Sequence, residues 1–305
     1  MGDGLLNISR MTQMCSDQIE LCPNIPVFGA TSIVGYNLCR LFPETCLPYI
    51  PAHSTPRVDM PSRFLNLEEP SWIKNTLDEG SPSLVIYAHA VCHVGNCERT
   101  PAWATNINVN HVSRLLDALS DDVRLVYLSS DHVFGHDGQY TETSSPCPIS
   151  VYGRTRVEAE SLVLSRKNTL IIRSGLAIGP SFNGRSGHLD WLRYRSARGL
   201  PLTLVSDEAR SAVSVQTLCQ RIMDLSVSDV CGVRHIGAED IVDRPALAEL
   251  LCRRLQITAD FQQTTRARQP APHLGRIQLR SVHTDALAEP LPSIIDDLDQ
   301  VSALL

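Results

Sequence analysis

The sequence predicts an α/β fold: a doubly wound parallel-sheet Rossmann domain followed by a smaller C-terminal α/β lobe. The first observation is a series of short, almost continuously apolar segments, which are typical of strands buried on both faces of a parallel sheet. These segments are residues 25–28, 84–88, 124–129 and 170–173. The second observation is that stretches with helical character, such as 102–119 and 152–165, lie between them. Strands that alternate with helices form βαβ units with right-handed crossovers.

The same patterns divide the chain into segments. Residues 1–24 show neither the helical nor the strand period and are predicted to be an N-terminal extension. Residues 25–175 carry the alternating pattern and form the predicted Rossmann domain. After Gly179 the alternation gives way to loops rich in Gly, Pro and Arg and to shorter elements. Residues 176–305 are therefore predicted to be mainly a substrate-binding lobe, with 211–236 returning to the Rossmann sheet.

The composition excludes several classes of protein. With 305 residues, a formal net charge of −6 and 43% hydrophobic residues, the chain lacks the basic excess of a nucleic-acid-binding protein and the polar bias of a disordered one. No apolar stretch approaches the roughly 20 residues that cross a bilayer, and the start of the chain lacks the apolar core of a secretory signal. A soluble, cytoplasmic protein is predicted. The ten Cys, without a CxxC pair, are predicted to be thiols in a reducing compartment rather than disulfides.

A glycine motif follows the first predicted strand. It reads Gly29-x-x-Ser32-x-x-Gly35 and stands between a strand and a helix. Gly29 would allow a tight turn, and Gly35 would let the helix pack close to the strand. The helix N-terminus then offers backbone N–H groups and a positive dipole end to a pyrophosphate. The motif predicts a dinucleotide site that includes Thr31 and Ile33; the alternative is a turn whose glycines bind no ligand.

The segment after the second predicted strand indicates which dinucleotide is bound. An acidic residue about 20 positions after the motif would hold the ribose 2′-hydroxyl of NAD, but the region from Ala52 to Arg57 contains no acid, and the first one after it is Asp59. Arg57, with His53 and Ser54 nearby, suits a 2′-phosphate instead. NADP is therefore the predicted cofactor and NAD is the alternative. Arg57 as an ordinary solvated loop residue is the competing interpretation.

Two further segments carry candidate catalytic residues. Residues 129–134 end a predicted strand, and Tyr152 opens the next predicted helix. Ligands of open α/β sheets bind at the carboxyl ends of the strands. A carbonyl reduction needs a hydroxyl such as Ser130 to polarise the carbonyl oxygen and an acid such as Tyr152 to deliver a proton. A cation such as Arg156 would lower the pKa of the Tyr from its free value of about 10 by stabilising the phenolate.

Several blocks of the sequence, spread from Val27 to about Leu255, occur together in one known family. The blocks are residues 29–35, 64–67, 97–109, 129–152, 202–215 and 232–237. In them the chain resembles the extended short-chain dehydrogenase/reductases, and it is most similar to the dTDP-4-dehydrorhamnose reductase-like proteins. The resemblance implies a biosynthetic, NADP-dependent oxidoreductase. Its substrate would be a small carbonyl or hydroxyl metabolite, either anionic or nucleotide-linked.

The resemblance also implies roles for single residues. Ser130 matches the family's catalytic Ser/Thr and Tyr152 its catalytic acid, whereas Arg156 stands where the family has Lys. The remaining expected cofactor contacts are Asn66, Leu67, Ala88, His89, Ala90, Asn108 and Ser174. The first two fall at the adenine, the next three on the strand end that lines the cofactor, and Asn108 on the helix behind the site.

The Lys-to-Arg departure leaves three functions open. Arg keeps the positive charge, but it is bulkier, planar and effectively never deprotonates. A working reductase with Tyr152 as acid/base and Arg156 as charge partner is the first interpretation. The second is a non-catalytic dinucleotide-binding homologue that regulates a partner enzyme. The third is non-redox lyase chemistry in the same pocket.

Fewer features of the sequence indicate where the substrate binds. The candidate substrate residues are His93, His132, Trp191 and Arg210. Arg side chains in this part of the chain suit an anionic substrate, although a solvated Arg-rich surface is the ordinary alternative. His132, with a free pKa of about 6.5, is an alternative acid or a wall residue. Residues 174–177 lack the aromatic side chain that the rhamnose enzymes place over the sugar, which argues against dehydrorhamnose itself.

A His/Cys cluster in the same region has the composition of a metal site. It comprises His89, Cys92, His93 and Cys97. Zinc needs four converging ligands, and adjacent Cys92 and His93 make that convergence awkward. No metal is predicted. The predicted partner is a small-molecule substrate, with neither nucleic acid nor membrane, and the assembly is left open between a homodimer and a complex with a partner enzyme.

Overall fold

A computed structural model describes residues 24–297 of the chain. The predicted N-terminal extension, 1–24, therefore lies outside the described residues except for Asn24. The strands, in chain order, are β1 (Ile25–Phe28), β2 (Cys46–Pro51), β3 (Arg63–Leu65), β4 (Leu84–Tyr87), β5 (Arg124–Leu128), β6 (Gly138–Tyr140), β7 (Thr169–Ser174), β8 (Leu176–Ile178), β9 (Leu202–Val205), β10 (Ala209–Arg210), β11 (Ala212–Ser214), β12 (Gly232–Ile236), β13 (Val242–Asp243), β14 (Phe261–Thr264) and β15 (Arg276–Leu279).

Helices connect most of these strands. They are α1 (Ile33–Leu41), α2 (Pro70–Gly80), α3 (Val94–Arg99), α4 (Pro101–Thr105), α5 (His111–Ala118), α6 (Val151–Leu164), α7 (Gly187–Ser196), α8 (Val215–Ser226) and α9 (Arg244–Leu255). A π-helical turn, Asn106–Asn110, joins α4 to α5, and short 3₁₀ turns lie at Asp131–Val133, Arg266–Arg268 and Ala286–Ala288.

The centre of the fold is a seven-stranded sheet in the order β12-β7-β5-β4-β1-β2-β3. Every neighbouring pair in it is parallel. Four of its strands, β1, β4, β5 and β7, are buried along nearly their whole length because helices cover both faces. The predicted doubly wound α/β fold is confirmed.

The two faces of this sheet form separate apolar cores. On one face Val27 and Ile86 pack with Leu38 of α1 and Leu218 of α8. On the other face the core contains apolar residues of α2, α5 and α6, with Leu115 fully buried. Helices α1 and α8 thus cover one face and helices α2, α5 and α6 the other, and the carboxyl ends of the parallel strands lie together at one edge.

A second sheet lies at that side of the molecule. Its order is β13-β10-β15-β6, and it combines strands from distant parts of the chain. A third apolar core belongs to this lobe and contains Leu189 of α7, Leu204 of β9 and Leu251 of α9. Between residues 24 and 297, none of the helices has the length and apolar character that a membrane span requires. The eight Cys of the same range are free thiols, and only Cys92 and Cys231 are exposed.

Candidate active site

The turn from β1 to α1 is shaped for close approach of a ligand. Gly29 has φ +92°, and a Cβ on it would lie 2.4 Å from the backbone N of His89. A Cβ on Gly35 would lie 2.5 Å from the Gly29 carbonyl oxygen. Ser32 caps α1 by accepting a hydrogen bond of 3.0 Å from the Gly35 N–H. The other N–H groups of the first turn have no partner within the helix, so this cradle fits a pyrophosphate.

The lobe reaches the same turn. A Cβ on Gly187, the first residue of α7, would lie 2.9 Å from Cδ1 of Ile33. Thr31, Ser32 and Ile33 are all half-buried. The predicted pyrophosphate contacts are therefore gathered in one place, between the sheet edge and the start of α7.

Arg57 lies beside the first turn of α1. Its guanidinium carbon is 5.4 Å from the centre of the Tyr36 ring. Its Nε donates to Asp59 at 2.8 Å, and its Nη1 donates to the Phe182 carbonyl at 3.1 Å. The side chain is thus close to the predicted 2′-phosphate position, but Asp59 already neutralises it. A phosphate at this place would compete with Asp59.

The residues predicted to contact the adenine and the rest of the cofactor lie at the ends of β3 and β4. Leu67 and Ala88 are buried, whereas Asn66, His89 and Ala90 are half-buried. The His89 ring stacks on His111 with 5.6 Å between ring centres, and Nε2 of His111 lies 2.8 Å from Oε1 of Glu68. Burial lowers the pKa of His89 to about 3, which keeps this ring neutral at ordinary pH.

Helix α6 places Tyr152 next to Ser130. Ser150 caps the helix by accepting from the Gly153 N–H at 3.0 Å, so Tyr152 lies in the first turn, where the helix dipole favours an anion. A Cβ on Gly153 would lie 2.2 Å from the His132 carbonyl oxygen. Only glycine therefore allows α6 to contact the turn that carries Ser130 and His132.

Hydrogen bonds from the π-helical turn fix the position of α6. Asn108 is fully buried. Its side chain accepts from the Val91 N–H at 2.9 Å and donates to Oγ1 of Thr155 at 2.9 Å. A π-bulge redirects a side chain out of the ordinary helical repeat and is frequent at functional sites. Asn108 thereby fixes the first turns of α6 against the loop that follows β4.

Arg156 occupies the position four residues after Tyr152, one turn along the same helix. Its guanidinium carbon is 5.9 Å from the centre of the Tyr152 ring and 4.7 Å from that of Tyr127. Nη2 donates to the carbonyl oxygen of Leu128, while Nε and Nη1 are buried without a partner. Buried donors without partners are costly, so the residues fit a cofactor that supplies acceptors beside Tyr152.

The electrostatics of Tyr152 combine opposing effects. Burial raises the pKa of its phenol above the ordinary value, and Arg156 and the Ser130 side chain act in the opposite direction. The ring of His132 lies edge-on to Tyr152, with 5.1 Å between ring centres. Burial lowers the pKa of His132 to about 3, so at neutral pH this ring adds no charge next to the phenol.

The four predicted substrate residues do not share one place. Arg210, only 5% exposed, binds Asp131 beneath the Ser130 turn, with Nε–Oδ2 at 2.7 Å. His93 caps α3 through a hydrogen bond to the Asn96 N–H and is exposed. Trp191 packs against the lobe core, with the guanidinium carbon of Arg195 at 5.6 Å from its ring centre.

The remaining predicted features are Ser174, the His/Cys cluster and the Arg residues near the lobe. Ser174 is half-buried at the end of β7 and pairs in register with Ile236 of β12. In the described part of the chain, no three His, Cys, Asp or Glu side chains converge as a metal ion requires. Of the Arg residues near the lobe, Arg195 donates to the Pro201 carbonyl and Arg198 stacks on Tyr194.

The structure adds site residues that sequence reasoning missed. Gly153 brings α6 to the Ser130 turn, and the Tyr-Gly dipeptide was its only signal. Asp131 was visible in the strand-end motif but received no role; it is fully buried. Glu208 and Arg244 are joined by a hydrogen bond of 3.1 Å from Arg244 Nε. They gave no local signal, because the two residues lie on different elements.

Comparison with known proteins shows the family of the chain. Residues 23–288 match the family described as the RmlD substrate binding domain. The dTDP-4-dehydrorhamnose reductase of Escherichia coli (strain K12) is 31% identical over an alignment of 226 residues, and the match covers 70% of this chain and 72% of that protein. The methionine adenosyltransferase 2 subunit beta of Xenopus tropicalis is 25% identical over an alignment of 226 residues, and the match covers 67% of this chain and 64% of that protein.

A solved structure shows the same fold. The dTDP-4-dehydrorhamnose reductase from Bacillus anthracis str. Ames, solved in complex with NADP, superposes with a TM-score of 0.77 at 19% identity and covers 92% of this chain and 99% of its own. The family match extends from the start of the sheet through most of the lobe, and the resemblance predicted from the sequence is confirmed. This chain belongs to the RmlD substrate binding domain family.

Proposed function

We propose that this chain is an NADP-dependent oxidoreductase that reduces the carbonyl group of a nucleotide-linked sugar or a closely similar small metabolite. The observation that carries the proposal is the meeting of Ser130, Tyr152 and Arg156 at the carboxyl end of β5, next to the Gly29–Gly35 cradle. Ligands of open α/β sheets bind outside the carboxyl ends of the strands, so a nucleotide and a carbonyl substrate can meet at this edge.

The residues that would hold the cofactor follow from the site. The Gly29–Gly35 turn would bind the pyrophosphate, Arg57 the 2′-phosphate, and Asn66 and Leu67 the adenine. Arg156, with two unpaired donors, would face the sugar next to the nicotinamide. When bound there, NADPH would supply the hydride for the reduction of the substrate carbon.

Side chains of the protein polarise the substrate carbonyl oxygen and supply its proton. The Ser130 hydroxyl donates a hydrogen bond to the substrate carbonyl oxygen and polarises the bond. Tyr152 delivers its phenolic proton to that oxygen, and the resulting phenolate is stabilised by Arg156 and by the N-terminus of α6. Bulk solvent then reprotonates Tyr152, which completes the proton balance.

The substrate class is supported by the relatives. The Escherichia coli relative is named for a dTDP-linked ketosugar, so the nucleotide-linked class is the first choice. Residues 174–177 carry no aromatic side chain to cover the sugar, and Trp191 packs into the lobe core instead. We therefore propose a nucleotide-linked carbonyl compound other than dehydrorhamnose.

The test starts with binding and continues with turnover. NADPH and NADH are titrated by fluorescence, and a panel of nucleotide-linked ketosugars is screened for NADPH oxidation. With a substrate in hand, Tyr152→Phe is expected to lower kcat by at least about 100-fold, the usual contribution of a positioned general acid. Tyr194→Phe is the matched control, because Tyr194 lies on α7, stacked with Arg198. Unchanged turnover of Tyr152→Phe would contradict the mechanism.

A second candidate function is supported by a different observation. The Xenopus relative is named as a subunit of methionine adenosyltransferase, and in this chain the usual Lys is replaced by an Arg whose Nη2 is committed to the Leu128 carbonyl. The chain would then bind the dinucleotide and support a partner enzyme without turnover. Tight NADPH binding without oxidation of any substrate, together with copurification of a methionine adenosyltransferase, would favour this candidate.

A further inference from the structure

The base of the Ser130 turn contains a buried ionic cluster that the proposed mechanism does not use. Asp131 is fully buried, and both of its carboxylate oxygens accept from Arg210. Glu208 continues the cluster: Nη1 of Arg210 lies 3.9 Å from its Oε1, and Arg244 and His273 also bind it. Arg244 in turn contacts the ring of His188.

The carboxylate and guanidinium groups of this cluster are equal in number. Asp131 and Glu208 contribute two negative charges, and Arg210 and Arg244 two positive ones. Burial lowers the pKa of His188 well below its ordinary value, so that ring is neutral. Removing Asp131 or Arg210 would leave an uncompensated charge within a few ångströms of the Ser130 hydroxyl, where low polarity strengthens its effect.

The cluster touches the reacting hydroxyl directly. Ser130 Oγ donates to Oδ1 of Asp131 at 3.1 Å, and the same oxygen accepts from Nη2 of Arg210. The Ser130 side chain also favours the ionised form of Tyr152. Ser130 has one proton to donate, so Asp131 competes for it with Tyr152 and with a substrate carbonyl oxygen.

From this geometry we infer that Arg210 is a positioning residue: it neutralises Asp131, frees the Ser130 hydroxyl for the substrate, and balances the charge next to Tyr152. The inference rests on the proposed function in assigning Tyr152 as the acid. It places Arg210 beneath the catalytic turn instead of in contact with an anionic substrate. It also gives the lobe, through β10, a direct influence on the chemistry of the sheet edge.

The test substitutes each member of the Asp131–Arg210 ion pair in turn, because the two substitutions should shift the ionisation of Tyr152 in opposite directions. Asp131→Asn removes the anion and leaves the Arg210 cation, so the Tyr152 phenol should ionise at a pH lower by at least about one unit; Arg210→Met leaves the anion and should shift it upward by a similar amount. The double variant should return toward the wild-type value. A purely structural role would move both single variants the same way.

The readout is a titration of ¹³C-labelled tyrosine by NMR in the protein without nucleotide, with Tyr152→Phe to assign the signal. Besides Asp131 and Arg210, the groups that face Tyr152 from the surrounding elements are Arg156, Cys92, Tyr127, Ser130 and His132, and these are the same in all the variants. The matched control is Arg124→Met. Arg124 is a buried Arg at the opposite end of β5 that binds the Ser226 carbonyl, and its removal should leave the Tyr152 titration unchanged.

The outcomes are separable from those of the proposed function, because the titration needs neither substrate nor turnover. Opposite shifts in the two single variants would support the inference even if no substrate were turned over. Shifts in the same direction, or an equal shift in Arg124→Met, would overturn it. Should Arg210→Met fail to fold, the isosteric Asp131→Asn decides alone: an unchanged or raised Tyr152 pKa would overturn the inference.

Discussion

The nucleotide side and the lobe side of the candidate active site are built by different means. On the nucleotide side, the Gly29–Gly35 turn is made of backbone, glycine and a single Ser cap. On the lobe side, Asp131, Arg210 and Glu208 place charged groups in the interior. One side depends on close approach of main chain, and the other on exact charge balance far from water.

The two sides are therefore sensitive to different substitutions. In the Gly29–Gly35 turn the backbone shapes the site, so most side-chain changes should be tolerated. Substitutions that add a Cβ to one of the glycines should not be tolerated. A buried ion cluster is costly to desolvate and becomes strongly unfavourable when one partner is lost. Substitutions on the lobe side should therefore reduce stability, whereas those on the nucleotide side should reduce cofactor affinity.

The largest expected effect is on the lobe side. Arg244→Met should lower the free energy of unfolding by about 3–5 kcal/mol, because it removes a partner from Glu208, which is only 2% exposed. Urea denaturation measures the change. Arg266→Met is the control, since its ion pairs with Asp137 and Asp207 are exposed and should contribute less than about 1 kcal/mol. Equal losses in the two variants would remove the distinction between the two sides.

The next effect is on the nucleotide side. Gly29→Ala should weaken NADPH binding by at least about 100-fold, or about 2.7 kcal/mol, because the new Cβ would collide with the backbone of His89 and the turn would have to shift. Isothermal titration calorimetry measures the affinity.

Gly199 supplies the matched control for that variant. Its φ is +60°, but no atom lies within 4 Å of a Cβ built on it. Gly199→Ala should therefore show the cost of a left-handed Ala, about 1–2 kcal/mol of stability, with NADPH affinity unchanged. If both variants bind NADPH equally well, the close approach at Gly29 has no role in the cradle.

The smallest expected effect is a loss of stability at acidic pH, to which one histidine on each side contributes. Burial lowers the pKa of both His89 and His132 to about 3, whereas an unfolded chain has a value of about 6.5. The unfolded state therefore binds protons first, and each ring's stabilising contribution, fully present above pH 6.5, is lost as the pH falls. Between about pH 7 and 5 the loss should reach up to about 2 kcal/mol per ring.

Thermal unfolding across that range separates the two rings. His89→Gln and His132→Gln should each make the melting temperature less dependent on pH than in the wild type. A pH dependence that neither substitution alters would show that the acid sensitivity arises elsewhere.

The parts of the molecule that could be predicted are those encoded locally. Strand β1, the glycine motif and α1 are consecutive in sequence, so one short segment contains the whole cradle. The Ser130 and Tyr152 motifs each mark a strand end or a helix start, and the parallel order of the sheet brings such ends to one edge. The roles proposed for these side chains remain predictions.

The lobe side could not be predicted, for a physical reason. Arg210 and Asp131 are 79 positions apart in the chain, and nothing near either residue indicates which charge will face it. Sequence reasoning therefore interpreted Arg210 as a contact for an anionic substrate, whereas the fold pairs it with an internal carboxylate. Arg57 is similar on a smaller scale, since Asp59 was noted as a late acid but not as its partner.

The order of strands in the second sheet has a consequence for how such proteins diversify. Followed along the described chain, the backbone runs from β5 to β6, back to β7, out to β10, back to β12 and out again to β13 and β15. No single junction separates the lobe from the main sheet, so a genetic crossover at one point would exchange an incomplete lobe. New specificities should arise by point substitution within the lobe rather than by recombination of whole lobes. Cleavage of one surface loop by a protease should likewise leave the two parts associated.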